Sequence, residues 1–235
     1  MKERAQQLLE AVAGKSARFR EGQWEAIEEV AVHHGRALVV QRTGWGKSAV
    51  YLIATRLLRD QGRGPTVIVS PLLALMRNQI AMGERAGISA VTVNSTNRDD
   101  WEEIFGQIAA DQIDLLLISP ERLNNPVFLA EVFPRLSARM GLLVVDEAHC
   151  ISDWGHDFRP DYRRLSRVVA ALPPTVPVLG TTATANDRVV RDVAEQMGTG
   201  LAVFRGPLER ESLRLEVIPM PNKAERLAWL AEALP

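Results

Sequence analysis

Ala37-Leu38-Val39-Val40-Gln41-Arg42-Thr43-Gly44-Trp45-Gly46-Lys47-Ser48-Ala49-Val50 changes character twice within one short stretch. Its first part, Ala37–Gln41, is a run of Val and Leu without alternation, which predicts a strand covered on both faces. From Lys47 onward, Ala49, Val50, Ile53, Ala54, Leu57 and Leu58 recur at i, i+3, i+4 spacing, the stripe of one helix face. Between them stands Thr43-Gly44-Trp45-Gly46-Lys47-Ser48. A strand that turns directly into a helix leaves the first helical N–H groups without partners. Those donors and the positive end of the helix dipole point at one spot, which is how phosphate oxygens are held. Gly44 and Gly46 allow backbone angles and a close approach that a side chain would block. Lys47 reaches the β- and γ-phosphates of such a ligand, and the Ser48 hydroxyl is placed to ligate magnesium. Gln41 holds the place of the first glycine in the G-x-x-x-x-G-K-S spelling. The plain alternative is a glycine-bearing turn that happens to precede Lys-Ser; the flanking strand and helix make it the poorer reading.

Outward from this stretch the same alternation continues. Strands are predicted over Thr66–Ser70, Ala90–Val93, Leu115–Ser119, Leu142–Asp146 and Val178–Thr182, with helix-length segments between them. The fold class is therefore α/β, a mostly parallel sheet with helices on both faces and right-handed crossovers. Sites in such sheets lie beyond the carboxyl ends of the strands. Past Gly198 the texture changes: Leu201–Arg205 and Leu213–Pro219 read as two further strands around Gly206-Pro207, and a last helix runs from Lys223 to Leu234. The domain is set at residues 1–200, with 201–235 as a connection leading out of it.

Composition narrows the classes. With 46% hydrophobic and 24% charged residues, the chain of 235 residues has the make-up of a packed globular domain. One cysteine, Cys150, excludes an internal disulfide and a zinc site built from several thiolates. It fits a reducing cytosol, with nucleoid association expected if the source is bacterial. Met1 to Gly14 reads as a charged amphipathic helix rather than a secretory signal, and the longest apolar runs are too short to span a bilayer. The formal net charge is −1, so any contact with nucleic acid has to be local.

A second chemical stretch is Gly141-Leu142-Leu143-Val144-Val145-Asp146-Glu147-Ala148-His149. A buried strand that ends in two acids delivers Asp146 to the sheet edge bearing the phosphate loop, where it can hold magnesium through water. Glu147 can orient and activate an attacking water, and His149 can sense the γ-phosphate. A solvated strand end is the bland reading, and the phosphate loop upstream weighs against it.

These residues resemble the superfamily-two helicases, whose motor domains are RecA-like, and further motifs narrow the resemblance to the RecQ family. Cys150-Ile151-Ser152-Asp153-Trp154-Gly155-His156-Asp157-Phe158-Arg159-Pro160 is similar to that family's aromatic-rich loop. Phe19-Arg20-Glu21-Gly22-Gln23 is similar to its adenine-reading motif, and Ser70-Pro71-Leu72-Leu73-Ala74-Leu75-Met76 to its first DNA-contact motif. Ile118-Ser119-Pro120-Glu121-Arg122-Leu123 and Thr182-Ala183-Thr184-Ala185 complete the series in order, from Phe19 to about Gly198. The family usually carries an aromatic residue just before the adenine-reading arginine; here Gly14-Lys15-Ser16 stand there. Trp45, where the family commonly has glycine, is one source of replacement aromatic surface.

The resemblance implies ATP and magnesium as cofactors and single-stranded DNA or a single/double-strand junction as partner, with unwinding 3′ to 5′ in the family's manner. Thr43, Gly44, Trp45, Gly46, Lys47, Ser48, Arg20 and Gln23 would bind nucleotide, with Ser48 and Asp146 on the metal. Lys47, Asp146, Glu147 and His149 would carry catalysis. Trp154, Phe158, Arg159, Thr182 and Thr184 would couple DNA to hydrolysis, base stacking on the aromatics contributing about 1–3 kcal/mol per base. Arg163, Arg164 and Arg167 share a helix face that is at least as well explained by solvation as by DNA. The family's second RecA-like domain, with its arginine finger, is expected beyond these residues. Two other readings stay open: a nucleotide-gated DNA-binding switch that unwinds nothing, and an RNA helicase with the same motor.

Overall fold

A computed structural model of the chain describes residues 1–71, 73–93, 100–152, 162–207 and 216–233. Its strands are β1 (Arg36–Val40), β2 (Thr66–Val69), β3 (Ala90–Val93), β4 (Leu115–Ile118), β5 (Leu142–Asp146), β6 (Val178–Thr182) and β7 (Leu201–Arg205). They form one sheet in the order β3-β4-β2-β5-β6-β1-β7, and every pair in it is parallel. The strands predicted as far as Arg205 are found within one residue at each end. Gln41 and Ser70, read as strand, stand just past it, yet their N–H groups still bond across to Thr182 and Ile118.

Parallel strands need crossovers, and helices supply them: α3 (Lys47–Asp60), α4 (Leu73–Arg85), α5 (Trp101–Ala109), α6 (Phe133–Ser137), α7 (Arg163–Ala171) and α8 (Asp187–Met197), while α1 (Lys2–Ala13) and α2 (Gln23–Ala31) precede β1 and α9 (Lys223–Ala233) follows β7. Each inner strand feeds both faces alternately. Ala37 and Val39 of β1 pack in one core with α1, α2 and α3, while Leu38 and Val40 pack in the other with α7 and α8. This two-sided burial is why the strands read as unbroken apolar runs. Helix α3 is buried beyond its predicted stripe: Tyr51, Leu52 and Thr55 are also covered, because α1, α2 and α4 pack over its outer side.

The boundary at residue 200 is corrected by β7. Leu201–Arg205 pairs with β1 from Arg36↔Leu201 to Val40↔Arg205 and closes one edge of the sheet, so it belongs to the α/β unit. Of the other strand expected past Gly198, residues 213–215 lie outside the described residues and 216–219 carry no strand. Val217 is 98% exposed, so this stretch has no apolar face to settle on. No residue of α9 is buried. Among the described residues, no helix is long and apolar enough to cross a membrane.

Beneath the site end of the sheet, β5 enters past a glycine crossing. Gly141 donates its N–H to the Pro65 carbonyl at 2.9 Å, and a Cβ on Gly141 would overlap the Gly64 carbonyl oxygen. Since that neighbour is backbone, it cannot swing aside. Gly141→Ala should cost about 1–3 kcal/mol, toward the upper end for overpacking. Gly106, inside α5 with open space around its Cα, is the contrast. Gly106→Ala should stabilise by about 0.5–1 kcal/mol through helix propensity. Urea denaturation midpoints check both; a neutral Gly141→Ala would show that β5 is free to shift.

Candidate nucleotide site

Three neighbouring strands, β1, β6 and β5, bring their carboxyl ends together. The loop after β1 carries Thr43 to Ser48. Gly44 and Gly46 take left-handed angles, φ 82° and 101°, which side chains rarely adopt, and Gly46 caps α3 at Lys47. The Lys47 ammonium donates to the Gln41 carbonyl at 2.7 Å and to Arg42 at 3.3 Å, folding across the loop mouth. A cation there, beside the first turn of a helix, forms an anion-binding corner.

The Phe19–Gln23 segment braces this loop from outside. Arg20 donates from its guanidinium to the Gly44 carbonyl at 2.7 Å. Gln23, 4% exposed, accepts from the Arg20 N–H at 2.8 Å and donates to the Trp45 carbonyl at 2.9 Å. Trp45 itself is 7% exposed, its indole largely spent in the core formed with α2 and α3. What remains of its edge joins Arg20, Gly22, Phe204 and Arg205 around a groove of about 510 Å³, ample for a purine. Phe204, on the strand that sequence reading assigned to the outgoing connection, was not among the expected site residues.

Asp146 ends β5 with only 7% of its surface exposed. Burial pushes its carboxyl above the usual carboxylate range, against a hydrogen bond from Thr181 that pulls it back. The Thr181 hydroxyl donates to Oδ1 at 2.7 Å, while Gln79 Nε2 and the Ser70 hydroxyl donate to Oδ2 at 3.2 and 3.4 Å. The Tyr162 hydroxyl fixes the Asp146 carbonyl at 3.0 Å. Thr181 reaches the acid because the β5–β6 register sets Asp146 beside it.

Glu147, next along, takes φ 51° and ψ 47°, a left-handed conformation costing a non-glycine residue about 1–3 kcal/mol. That turn lifts its side chain out of the sheet to about a quarter exposure, 3.2 Å from Nδ1 of the buried His149. The same ring nitrogen lies 2.9 Å from the Thr182 hydroxyl, which in turn accepts from the Thr184 N–H at 3.2 Å. Glu147, His149, Thr182 and Thr184 thus form a connected polar path from the acid pair toward the start of α8.

Among the described residues, no three His, Cys, Asp or Glu side chains stand close enough to hold a metal ion by themselves. A divalent ion here needs oxygens from another source, as a triphosphate and its waters supply. The donor set fits that demand: Ser48 in the first turn of α3, Asp146 across from it, and two buried polar atoms nearby, Tyr51 Oη and Gln79 Oε1. The structure gathers Arg20, Gln23, Lys47, Ser48, Asp146, Glu147, His149, Thr182 and Thr184 on one side of the sheet. Trp154, Phe158 and Arg159 lie outside the described residues. Sequence reading missed Thr181, Gln79 and Tyr51, whose roles depend on which strands and helices are neighbours.

A parallel sheet of this order with a phosphate loop after β1 and an acid pair after β5 is a RecA-like, phosphate-loop nucleotide-binding domain. The DEAD/DEAH box helicase family matches residues 20–193. The chain is 36% identical over 227 residues to the ATP-dependent DNA helicase RecQ of Bacillus subtilis, covering 95% of this chain and 37% of that protein. With the RecQ-like DNA helicase BLM of Xenopus laevis it shares 34% over 217 residues, 90% of this chain and 15% of the relative. Among solved structures, the DUF1998 helicase MrfA superposes with a TM-score of 0.66 at 16% identity, over 87% of this chain and 32% of that one, which bears on the fold alone. The chain belongs to the DEAD/DEAH box helicase family, in its RecQ branch. It spans about a third of the length of the curated relatives it matches first.

The brace gives a prediction. Gln23→Ala removes two hydrogen bonds holding the phosphate loop to the Arg20 turn, each worth about 1 kcal/mol. ATP affinity, by calorimetry, should fall roughly five- to thirtyfold, on the order of 1–2 kcal/mol. Unchanged affinity would mean the loop holds its shape without the brace.

Proposed function

We propose that the chain is the nucleotide-binding half of a DNA helicase motor of RecQ type, which binds ATP with magnesium and turns its hydrolysis into movement along a DNA strand. The observation that carries this is the shared edge: the phosphate loop, Asp146 and Glu147 lie at the ends of strands separated by β6 alone, whose Thr181 grips Asp146. Family membership and the RecQ relatives support DNA as the track.

Lys47 and the loop amides would hold the β- and γ-phosphates, and Ser48 with Asp146 would hold magnesium, Asp146 through its waters. Magnesium, when bound, would neutralise charge on the β- and γ-phosphates. Glu147, lifted by its left-handed turn and paired with His149, accepts the proton of the attacking water. His149 passes the state of Glu147 to Thr182 and Thr184, and Trp154, Phe158 and Arg159 engage DNA. Arg20, Gln23 and the groove beside Trp45 receive the adenine. One wall of the reaction site lies in these residues; the opposing wall and an arginine for the transition-state charge come from a second RecA-like domain. Such an arginine is worth on the order of 10³–10⁵ in turnover in related nucleotide hydrolases. By themselves, residues 1–235 should therefore hydrolyse ATP slowly and separate no strands.

Two substitutions test the assignment. Lys47→Ala should abolish measurable binding of ATP–magnesium, since the triphosphate loses its principal positive charge. Glu147→Gln should leave binding near normal and slow turnover about 10²–10⁴-fold by removing the base. Both are read by fluorescent-nucleotide titration and by ATPase rates with single-stranded DNA or RNA, in the presence of a second motor domain. Stimulation by DNA in preference to RNA is expected. Stronger stimulation by RNA would move the reading to an RNA helicase, and DNA-gated binding without strand separation to a switch module.

A further inference from the structure

Gln79 carries no step of the reaction proposed above, although its Oε1 stands among the polar atoms around the metal site; it is 4% exposed in the middle of α4 and its amide nitrogen bonds the acid. Nε2 donates to Asp146 Oδ2, and Oε1, equally buried, has no hydrogen-bond partner among the described residues. The fully buried Tyr51 hydroxyl, in the first turns of α3, lies beside the Ser48 and Gln79 side chains, close enough to exchange hydrogen bonds with them, and near the Asp146 carboxylate. Natural structures rarely leave a buried polar atom such as Gln79 Oε1 unsatisfied. An acid that meets its ion through water needs partners for that water, and an amide oxygen with a phenol hydroxyl provides them. The chain connection adds the second half. Ser70, which also donates to Oδ2, leads directly into α4, so among the described residues one segment supplies two of the three side-chain donors to the Asp146 carboxylate.

We propose that Gln79 is a positioning residue that ties helix α4 to the Asp146 carboxylate, so that occupancy of the metal site and placement of α4 depend on one another. The proposal rests on the ATP–magnesium reading of the site. A buried side chain on a rigid helix cannot follow Asp146 alone; if the carboxylate turns toward hydrated metal, Gln79 turns α4 with it or loses its bond. The coupling is reciprocal by thermodynamic linkage, so it can be read from the metal side without any second domain. It runs through the stretch continuous with Ser70–Met76, which gives the motor a direct link between that segment and the metal, separate from the His149–Thr182–Thr184 path.

The test compares wild type with Gln79→Leu by two readouts: magnesium titration of fluorescent-ATP binding, and amide hydrogen exchange with and without ATP–magnesium. Wild type should gain protection in both the first turns of α3 and residues 77–85 of α4. Gln79→Leu should keep nucleotide binding and the α3 protection, lose the α4 protection, and need about ten- to hundredfold more magnesium for half-saturation. Gln79→Met, which preserves side-chain length and apolar packing, should behave in the same way and replaces it if leucine fails to fold. Retained α4 protection or an unchanged magnesium requirement in the variant overturns the proposal, as does a wild type that binds ATP–magnesium without protecting α4. Wild-type binding that ignores Lys47→Ala is a different failure, one that removes the nucleotide reading itself.

Discussion

A carboxylate taken almost wholly out of water at the end of a central strand is costly unless its oxygens are met by donors. Asp146 is in that position, and its surroundings are arranged around it: Thr181 on β6, Ser70 after β2, Gln79 on α4 and Tyr162 before α7. Each comes from a different element, and they converge because the sheet order places β2 and β6 on either side of β5. A slip of one residue in the β5–β6 register would turn Thr181 to the opposite face and leave Oδ1 without its shortest bond. The parallel order of the sheet is thus a condition for the acid, and the acid is what makes the phosphate loop two strands away more than an anion-binding turn.

The neighbouring Glu147 shows the same dependence from the other direction. Its left-handed backbone is sustained because β5 and the short helical turn Ala148–Ile151 hold it on both sides, with the Cys150 N–H bonded back to the Glu147 carbonyl at 2.9 Å. Strain held in this way aims the second carboxylate outward while the first stays buried, so two adjacent acids take two roles. His149, buried between Glu147 and Thr182, makes the acid pair continuous with the Thr182–Thr184 turn. Asn186 fixes the far end of that turn by accepting from Arg188 and Val189 at the start of α8.

What could be read from the sequence divides along a physical line. The phosphate loop and the acid pair are local chemistry: residue types at fixed spacing between a strand and a helix, legible without knowing any neighbour. Strand positions were legible because burial on both faces leaves unbroken runs of Val and Leu. Thr181, Gln79 and Tyr51 were not, since their meaning lies in register and in which helix covers which strand. Gln79 follows Arg77 and Asn78 in a polar run of α4, so nothing in the sequence sets it apart from the exposed residues beside it. Strand β7 was recognised as a strand and assigned to the wrong side of the boundary, because the break in texture after Gly198 marks a turn rather than the end of the sheet.

Trp45 belongs to the same lesson. An aromatic residue in a glycine position looked available to a base, yet most of its surface is committed to the core, and the groove it borders is completed by Phe204 and Arg205 from β7. The central claim, that one edge of this sheet holds both the phosphates and the metal, is open to a direct measurement. Crystals grown with a non-hydrolysable ATP analogue and manganese would locate the ion by its anomalous scattering. The ion should be bound by the Ser48 hydroxyl and linked through water to Asp146, with phosphates on the amides of residues 44–48. An ion that touches neither Ser48 nor the waters of Asp146, or phosphates seated away from Lys47, would contradict it.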